Sequence, residues 1–287
     1  MGRLSRNDRI AASLIEWGSG SLRDLTWRRT NDPWRVLVSE VMLQQTSVAR
    51  VMPKYEAFLE AFPTPGALAE APLGDALRLW SGLGYPRRCR NLQATAVVLH
   101  EQFEDCMPDS IEELLKLPGI GQYTARAVLA FAHRMDVAVV DVNVSRVLSR
   151  LEGIPMKARA LQTFADELVP QGLGWEWNQV MMDFGARHCT VRSPQCDSCP
   201  VRSQCRYKGV GEDPAQLSAG VSKPQARFEG SDRQARGRAM KAVSSGAMNI
   251  YDVVEAMRVE EQRALALIAS LVNEGLLQRT DAIITLP

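Results

Sequence analysis

Cys189, Cys196, Cys199 and Cys205 crowd into one stretch of the chain, separated by six, two and five residues. Four thiolates so close in sequence can surround one metal centre, and the spacing alone permits tetrahedral zinc or an iron–sulfur cluster. Cys89 and Cys106, the other two cysteines, are isolated. The N-terminus, MGRLSRNDRI, has no apolar signal segment, so the crowding favours metal over disulfides. Arg187, Arg192, Arg202 and Arg206 rim the loop, where they could meet phosphates.

Two carboxylates stand in apolar company. Glu40 lies within Val36-Leu-Val-Ser-Glu-Val-Met-Leu43. A lone Glu in such a helix ordinarily faces solvent. A carboxyl held in a pocket is instead a general acid near neutral pH, because desolvation favours its neutral form. Asp141 follows the apolar run Val137–Val140 and precedes a helical pattern, which suits a helix N-cap. A capping carboxylate is rigid and can also face a cleft. Two such carboxylates suit glycosyl cleavage, one protonating the leaving group and the other meeting an oxocarbenium ion. A third motif is Leu117-Pro-Gly-Ile-Gly-Gln-Tyr-Thr124. Gly119 and Gly121 permit positive φ in a tight turn. The next helix then points free N–H groups outward, where a phosphate fits. This is the form of a helix-hairpin-helix, which grips DNA backbone without reading bases.

The elements that must hold these residues are helical. Apolar residues recur at three- and four-residue spacing over 34–46, 48–61, 73–81, 88–102, 123–133, 142–151, 158–169 and 177–185, with Gly or Pro between segments. Asp32-Pro33 reads as the cap and first turn of the first of these. Val137–Val140 is short enough to be buried helix or strand. Residues 207–228 read as a linker. Beyond them come helical patterns near 231–244, 250–257 and 260–274 and a hairpin about 280–282, together a small winged-helix-like module over 229–287. No run is long and apolar enough to span a bilayer, so a cytoplasmic, nucleoid-associated location and no membrane partner are expected. The net charge of +1 says nothing of nucleic acid by itself. Local basic clusters, Arg87-Arg88-Cys89-Arg90 and Arg227 to Lys241, carry that signal if anything does; either could equally be a solvated face.

Ser39-Glu40-Val-Met-Leu-Gln-Gln-Thr46, Gly82-Leu-Gly-Tyr85, Leu117–Thr124 with Asp141-x-Asn143, and the four cysteines resemble, in order and spacing, the MutY branch of the helix-hairpin-helix DNA glycosylases. The resemblance covers roughly residues 8–206. It implies an all-α catalytic domain over 1–206, built as two lobes with a cleft between them and carrying a [4Fe–4S] loop at 189–205. It implies a monofunctional enzyme that removes adenine mispaired with 8-oxoguanine or guanine, acting as a monomer on double-stranded DNA. Glu40 then matches the acid that protonates N7 of adenine, and Asp141 the carboxylate at C1′. Asn143 and Tyr123 match residues hydrogen-bonding in that site. Trp27, Arg28, Leu43 and Asp183 align with the adenine pocket, and Gln45 and Tyr85 with side chains inserted beside the opposite guanine. Cys189, Cys196, Cys199 and Cys205 match the cluster ligands, and Gly119 and Gly121 the backbone contact.

The sibling endonuclease III family needs a Lys amine for its lyase step, and Tyr123 stands at that position. Gln44-Gln45 favours adenine over thymine or uracil opposite guanine. A non-catalytic DNA-binding iron–sulfur protein is the alternative from another class, and the presence of both Glu40 and Asp141 speaks against it. Pro86 replaces a second aromatic usual in the family, and Leu25-Thr26-Trp27 replaces Leu-Pro-Trp. After Cys205 the chain has no His, so the family's Nudix-like lesion-reading domain is not expected there. The basic residues Arg233, Arg236, Arg238 and Lys241 are expected to add phosphate contacts in its place.

Overall fold

The computed structural model describes residues 4–220 and 227–287. The chain forms two compact units. One comprises Met1–Val36, Asp109–Ile111 and Gly121–Lys223, the other Leu37–Pro108, Glu112–Ile120 and Pro224–Pro287.

The first unit contains α1 (Arg6–Gly18), a 3-10 turn (Thr26–Arg28) and the opening turn of α2 (Pro33–Leu43). Helix α1 was not among the expected helices. Its signal is nonetheless local: Ser5 and Asp8 form a reciprocal capping box. Ile10 and Leu14, four residues apart, are fully buried. Asp32 caps α2 as expected, its Oδ1 accepting from the N–H groups of Trp34 (2.9 Å) and Arg35 (3.1 Å).

The second unit continues α2 and adds α3 (Val48–Ala61), α4 (Pro65–Ala69), α5 (Leu73–Trp80), α6 (Arg87–Phe103) and most of the short α7 (Ile111–Leu114). Phe58, Leu68, Leu92, Ala96 and Leu99 are fully or almost fully buried at its centre.

The chain then returns to the first unit through α8 (Gln122–Phe131), α9 (Val142–Glu152), α10 (Ala158–Leu168) and α11 (Gly174–Arg187). Its core gathers Ile10, Leu14, Val147, Leu148, Trp177, Phe184 and, from the cysteine loop, Val201. The run Val137–Val140 is neither strand nor helix. Its backbone groups are satisfied by side chains: Asn178 Oδ1 accepts from Val139 N–H at 2.7 Å, and Asp166 Oδ1 from Ala138 N–H at 3.1 Å.

Residues 207–220, expected to be linker, are packed onto this unit. Tyr207 N–H donates to the Arg150 carbonyl. Asp213 caps a 3-10 turn, Pro214–Leu217, and Ala219 N–H donates to Met156 O at 2.8 Å. Residues 221–226 of that expected linker lie outside the described residues.

The C-terminal residues belong to the second unit and form α12 (Asp232–Val243), β1 (Met248–Asn249), α13 (Ile250–Met257), α14 (Glu261–Asn273), β2 (Gln278–Thr280) and β3 (Ile283–Thr285). The hairpin lies where the alternation placed it, with Asp281 in the left-handed region (φ 53°). Strand β1 joins it to give an antiparallel sheet of order β1-β3-β2. Among the described residues, no helix is long and apolar enough to cross a membrane.

Candidate active site

Helix α2 carries Glu40 inward. Its relative exposure is 6%, with Ser39 at 1% and Leu37, Val38 and Met42 at 0%. The solvent-facing position usual for a lone Glu is therefore not the one it takes. Leu43 closes the helix half-buried, and Gln45 is exposed just beyond it with φ 54°. The loop between α5 and α6 also turns left-handed, at Gly82 (φ 94°), Gly84 (φ 73°) and Tyr85 (φ 50°). Left-handed backbone is unfavourable for residues with a Cβ, so Gln45 and Tyr85 hold conformations that the surrounding structure must impose.

Arg88 imposes them. Its guanidinium donates to the carbonyls of Val41 (2.6 Å), Met42 (2.9 Å), Leu83 (3.2 Å) and Gly84 (3.0 Å) and to Thr46 Oγ1 (3.1 Å). It thus ties the C-terminal carbonyls of α2 to the Tyr85 loop. It also lies 5.5 Å from the centroids of the Trp80 and Tyr85 rings. Burial pushes it down to about 10. The basic run at 87–90 is therefore only in part a solvated face: Arg87 is exposed, while Arg88 and Arg90 are half-buried. Cys89 is fully buried, Arg87 pairs with Glu274 at 2.6 Å, and Arg90 donates to the Glu274 carbonyl.

In the hairpin, only Gly119 has positive φ (77°). A Cβ there would also come within 2.8 Å of Asn91 Cβ. Gly121 is instead extended (φ −104°, ψ 177°) and is the N-cap residue of α8. Its bare Cα faces open space, which leaves the helix N-terminus approachable. Tyr123 lies half-buried in the first turn of that helix.

Asp141 caps α9. Its Oδ1 accepts from the N–H groups of Asn143 (2.8 Å) and Val144 (2.7 Å), and Oδ2 from Asn143 Nδ2 (2.9 Å). Burial pushes its carboxyl up, against the pull of these donors and of Arg146. Asn143 Oδ1 in turn accepts from Arg146 Nη2 at 2.9 Å. Arg146 also donates to Gly185 O (2.6 Å) and Cys189 O (2.9 Å), so a continuous hydrogen-bonded line runs from Asp141 to the first cysteine. Gly185 allows α11 to lie this close, since a Cβ there would meet Asn143 Cβ at 2.7 Å.

Asp183, on α11, is fully buried and gathers two arginines. It accepts from Arg28 Nη1 (2.9 Å) and Nη2 (2.8 Å), and from Arg23 N–H and Nε (both 2.8 Å). Burial works to raise its carboxyl, but the donors outweigh it and hold it at about 2. Trp27, beside Arg28, is 7% exposed.

The four cysteines are electrostatic neighbours. Burial pushes Cys199 up to about 11, and Cys189, Cys205 and Cys196 add to that shift. Arg150 Nη1 donates to Cys189 Sγ at 3.3 Å and to Thr190 O at 2.7 Å. Asp213 orients that guanidinium through Nε (3.1 Å) and Nη2 (2.6 Å). These thiols could hold a metal centre, although no three metal-ligating side chains among the described residues are gathered around one point as they stand. Of the rim arginines, Arg202 folds onto Cys196 O (2.9 Å) and Arg206 onto Glu152 (2.7 Å), while Arg192 is exposed.

The sequence reading missed Arg23, Arg146 and Arg150, and noted Arg88 only as a member of a basic cluster. Arg146 and Arg150 stand four apart in α9, among Asn143, Ser145 and Ser149 as well as apolar residues, and that pattern alone did not announce their burial.

Fold and site together define a helical DNA-repair enzyme, and comparison with known proteins agrees. The chain belongs to the HhH-GPD superfamily of base excision DNA repair proteins, whose pattern matches residues 38–190. It is a DNA glycosylase. It is 40% identical over 276 residues to the adenine DNA glycosylase of Mycolicibacterium smegmatis, spanning 93% of this chain and 92% of the relative. It is 39% identical over 223 residues to the adenine DNA glycosylase of Homo sapiens, covering 72% of this chain and 41% of that one. Among solved structures it is similar to a thermostable thymine-DNA glycosylase (27% identity, TM-score 0.67, 71% of this chain and 97% of that chain). It is also similar to endonuclease III trapped as a covalent intermediate with DNA (25% identity, TM-score 0.63, 72% and 98%).

Proposed function

We propose that this protein is a monofunctional glycosylase that hydrolyses the N-glycosidic bond of adenine mispaired with 8-oxoguanine or guanine, acting as a monomer on double-stranded DNA. The observation that carries the reading is the 40% identity to an adenine DNA glycosylase across 93% of the chain. Burial of Glu40 supports its chemical side.

Adenine within a duplex must leave the stack before it can react. Glu40 then gives its proton to N7, so that the base departs neutral. Asp141 faces the sugar as C1′ gains positive charge. A desolvated carboxylate held by two backbone N–H groups and Asn143 is already oriented, so it favours the cation strongly. Tyr123 hydrogen-bonds within this site. The Arg28–Asp183 pair, with Trp27 and Leu43, shapes the adenine pocket. Gln45 and Tyr85 enter the duplex beside the opposite guanine, and the N–H groups after Gly119 and Gly121 hold a phosphate.

Cys189, Cys196, Cys199 and Cys205 would hold a [4Fe–4S] cluster, an anionic centre suited to a pocket already supplied with Arg150 and Arg146. Arg146 rests on the carbonyl of Cys189, so a loop ordered around such a centre would also hold that guanidinium in place.

Single-turnover excision on duplexes carrying A:8-oxoG, A:G, T:G and uracil tests the reading. Release of adenine from the first two is expected. Release of thymine or uracil alone would overturn it. Tyr123 carries no amine, so strand breaks are expected only after alkali or heat, and borohydride trapping of a covalent complex at neutral pH contradicts a monofunctional enzyme.

A further inference from the structure

Tyr85 is an exposed aromatic, 36% accessible, at the tip of a loop whose backbone runs left-handed at three positions. The C-terminal module grips this loop from both ends. On the α5 side, Pro287 O accepts from Gly74 N–H at 2.8 Å, and Ser244 O accepts from Arg78 Nε at 3.2 Å. A Cβ at Gly74 would come within 2.5 Å of Pro287 O, so the approach is as close as glycine allows. On the α6 side, the Glu274 carboxylate accepts from Arg87 Nε at 2.6 Å, and its carbonyl accepts from Arg90. Arg236 (2.6 Å) and Ser270 (2.9 Å) orient that carboxylate from within the module. Arg236 and Arg238, which donates to Met257 O at 3.1 Å, are thus occupied inside the module.

At the tip itself, Arg233 Nη1 donates to the Tyr85 hydroxyl at 3.1 Å. The same guanidinium lies 5.7 Å from the Phe228 ring centroid. Arg88 approaches the Tyr85 ring as well, at 5.5 Å from its centroid. We infer that Arg233 is a positioning residue: it holds the Tyr85 hydroxyl, so that the C-terminal module sets how this ring meets the duplex. The inference rests on the proposed placing of Tyr85 against the base opposite adenine. Affinity and the preference between 8-oxoguanine and guanine then depend on the module, in part through this hydrogen bond, and not on the catalytic portion alone. A ring oriented before DNA arrives loses less freedom on stacking, which favours binding.

The test uses the full chain and duplexes whose adenosine carries a non-hydrolysable 2′-fluoro sugar, paired with 8-oxoguanine or guanine. Arg233→Met removes the donor and keeps bulk, and Tyr85→Phe removes the acceptor and keeps the ring. Each should weaken binding to the 8-oxoguanine duplex about two- to tenfold, the range for one net hydrogen bond. Combined, they should weaken it no further than the larger single effect. Arg233→Lys, which can still donate, should recover most of the loss. Melting curves matching wild type exclude a folding defect. Multiplying effects, or an Arg233→Met variant that binds like wild type, overturn the inference. A salt slope shallower by about one in Arg233→Met, with multiplying effects, would mean that Arg233 touches phosphate instead. Adenine release by wild type is scored separately. If wild type binds but releases no adenine, the proposed activity fails while the binding cycle remains readable.

Discussion

Replacing Asp183 with Asn removes the one charge on which Arg23 and Arg28 converge. The carboxylate is fully buried, and Arg28 is 7% exposed against 34% for Arg23. Burial alone would raise the Asp183 carboxyl, yet the arginines hold it at about 2 against an ordinary 3.8. That depression corresponds to roughly 2 kcal/mol of stability at neutral pH. Breaking a buried pair on one side costs about 3–5 kcal/mol, because the surviving charge keeps its desolvation penalty. Arg23 reaches solvent and can recover part of this, so about 3 kcal/mol is expected, or a fall of roughly 6–12 °C in melting temperature for a unit of this size. The pH dependence has a definite sign. A depressed carboxyl contributes fully above its unfolded value near 4, and the contribution is lost as pH falls toward about 2. The gap between wild type and Asp183→Asn should therefore be constant from pH 5 to 7 and smaller by roughly 1 kcal/mol, about a third, at pH 3. Scanning calorimetry across this range measures both. A variant melting within about 2 °C of wild type would falsify the assigned ion pair, and a gap unchanged at pH 3 would show that the carboxyl is not what holds the arginines.

Glu40→Gln should lower single-turnover adenine excision by about 10²–10⁴-fold while duplex binding persists; near wild-type excision would mean that Glu40 is not the acid. Gly185→Ala places a Cβ 2.7 Å from Asn143 Cβ and 2.9 Å from its carbonyl oxygen. Because backbone must move, a loss of about 1–3 kcal/mol is expected in denaturant titration, together with weakened excision; an unshifted midpoint refutes the close packing of α9 and α11. Metal analysis of anaerobically prepared protein should find about four irons per chain, and stoichiometric zinc would contradict the cluster.

The signals readable along the chain were those whose physics is local. Asp32 and Asp141 cap helices because a short carboxylate reaches the N–H groups of the next two or three residues, whatever lies elsewhere. The capping box at Ser5 and Asp8 is of the same kind and was readable, though α1 was not foreseen. Gly119 needs positive φ, and the motif said so. Gly121 does not, because the turn is complete one residue earlier. The cysteine spacing likewise pointed to a metal loop without reference to any fold.

Charge gave no such guidance, since an arginine on a solvated face and one beneath a helix end look alike in sequence. Arg88 reaches partners more than forty residues away, the carbonyls of Val41 and Met42 and the hydroxyl of Thr46. Arg28 and Asp183 meet across 155 residues, and Arg233 and Tyr85 across 148. Whether Glu40 faced water or the interior was equally undecided by its own helix, which is apolar on nearly every side. A side chain's partner depends on which elements pack against it, and that is decided only when the whole chain has folded.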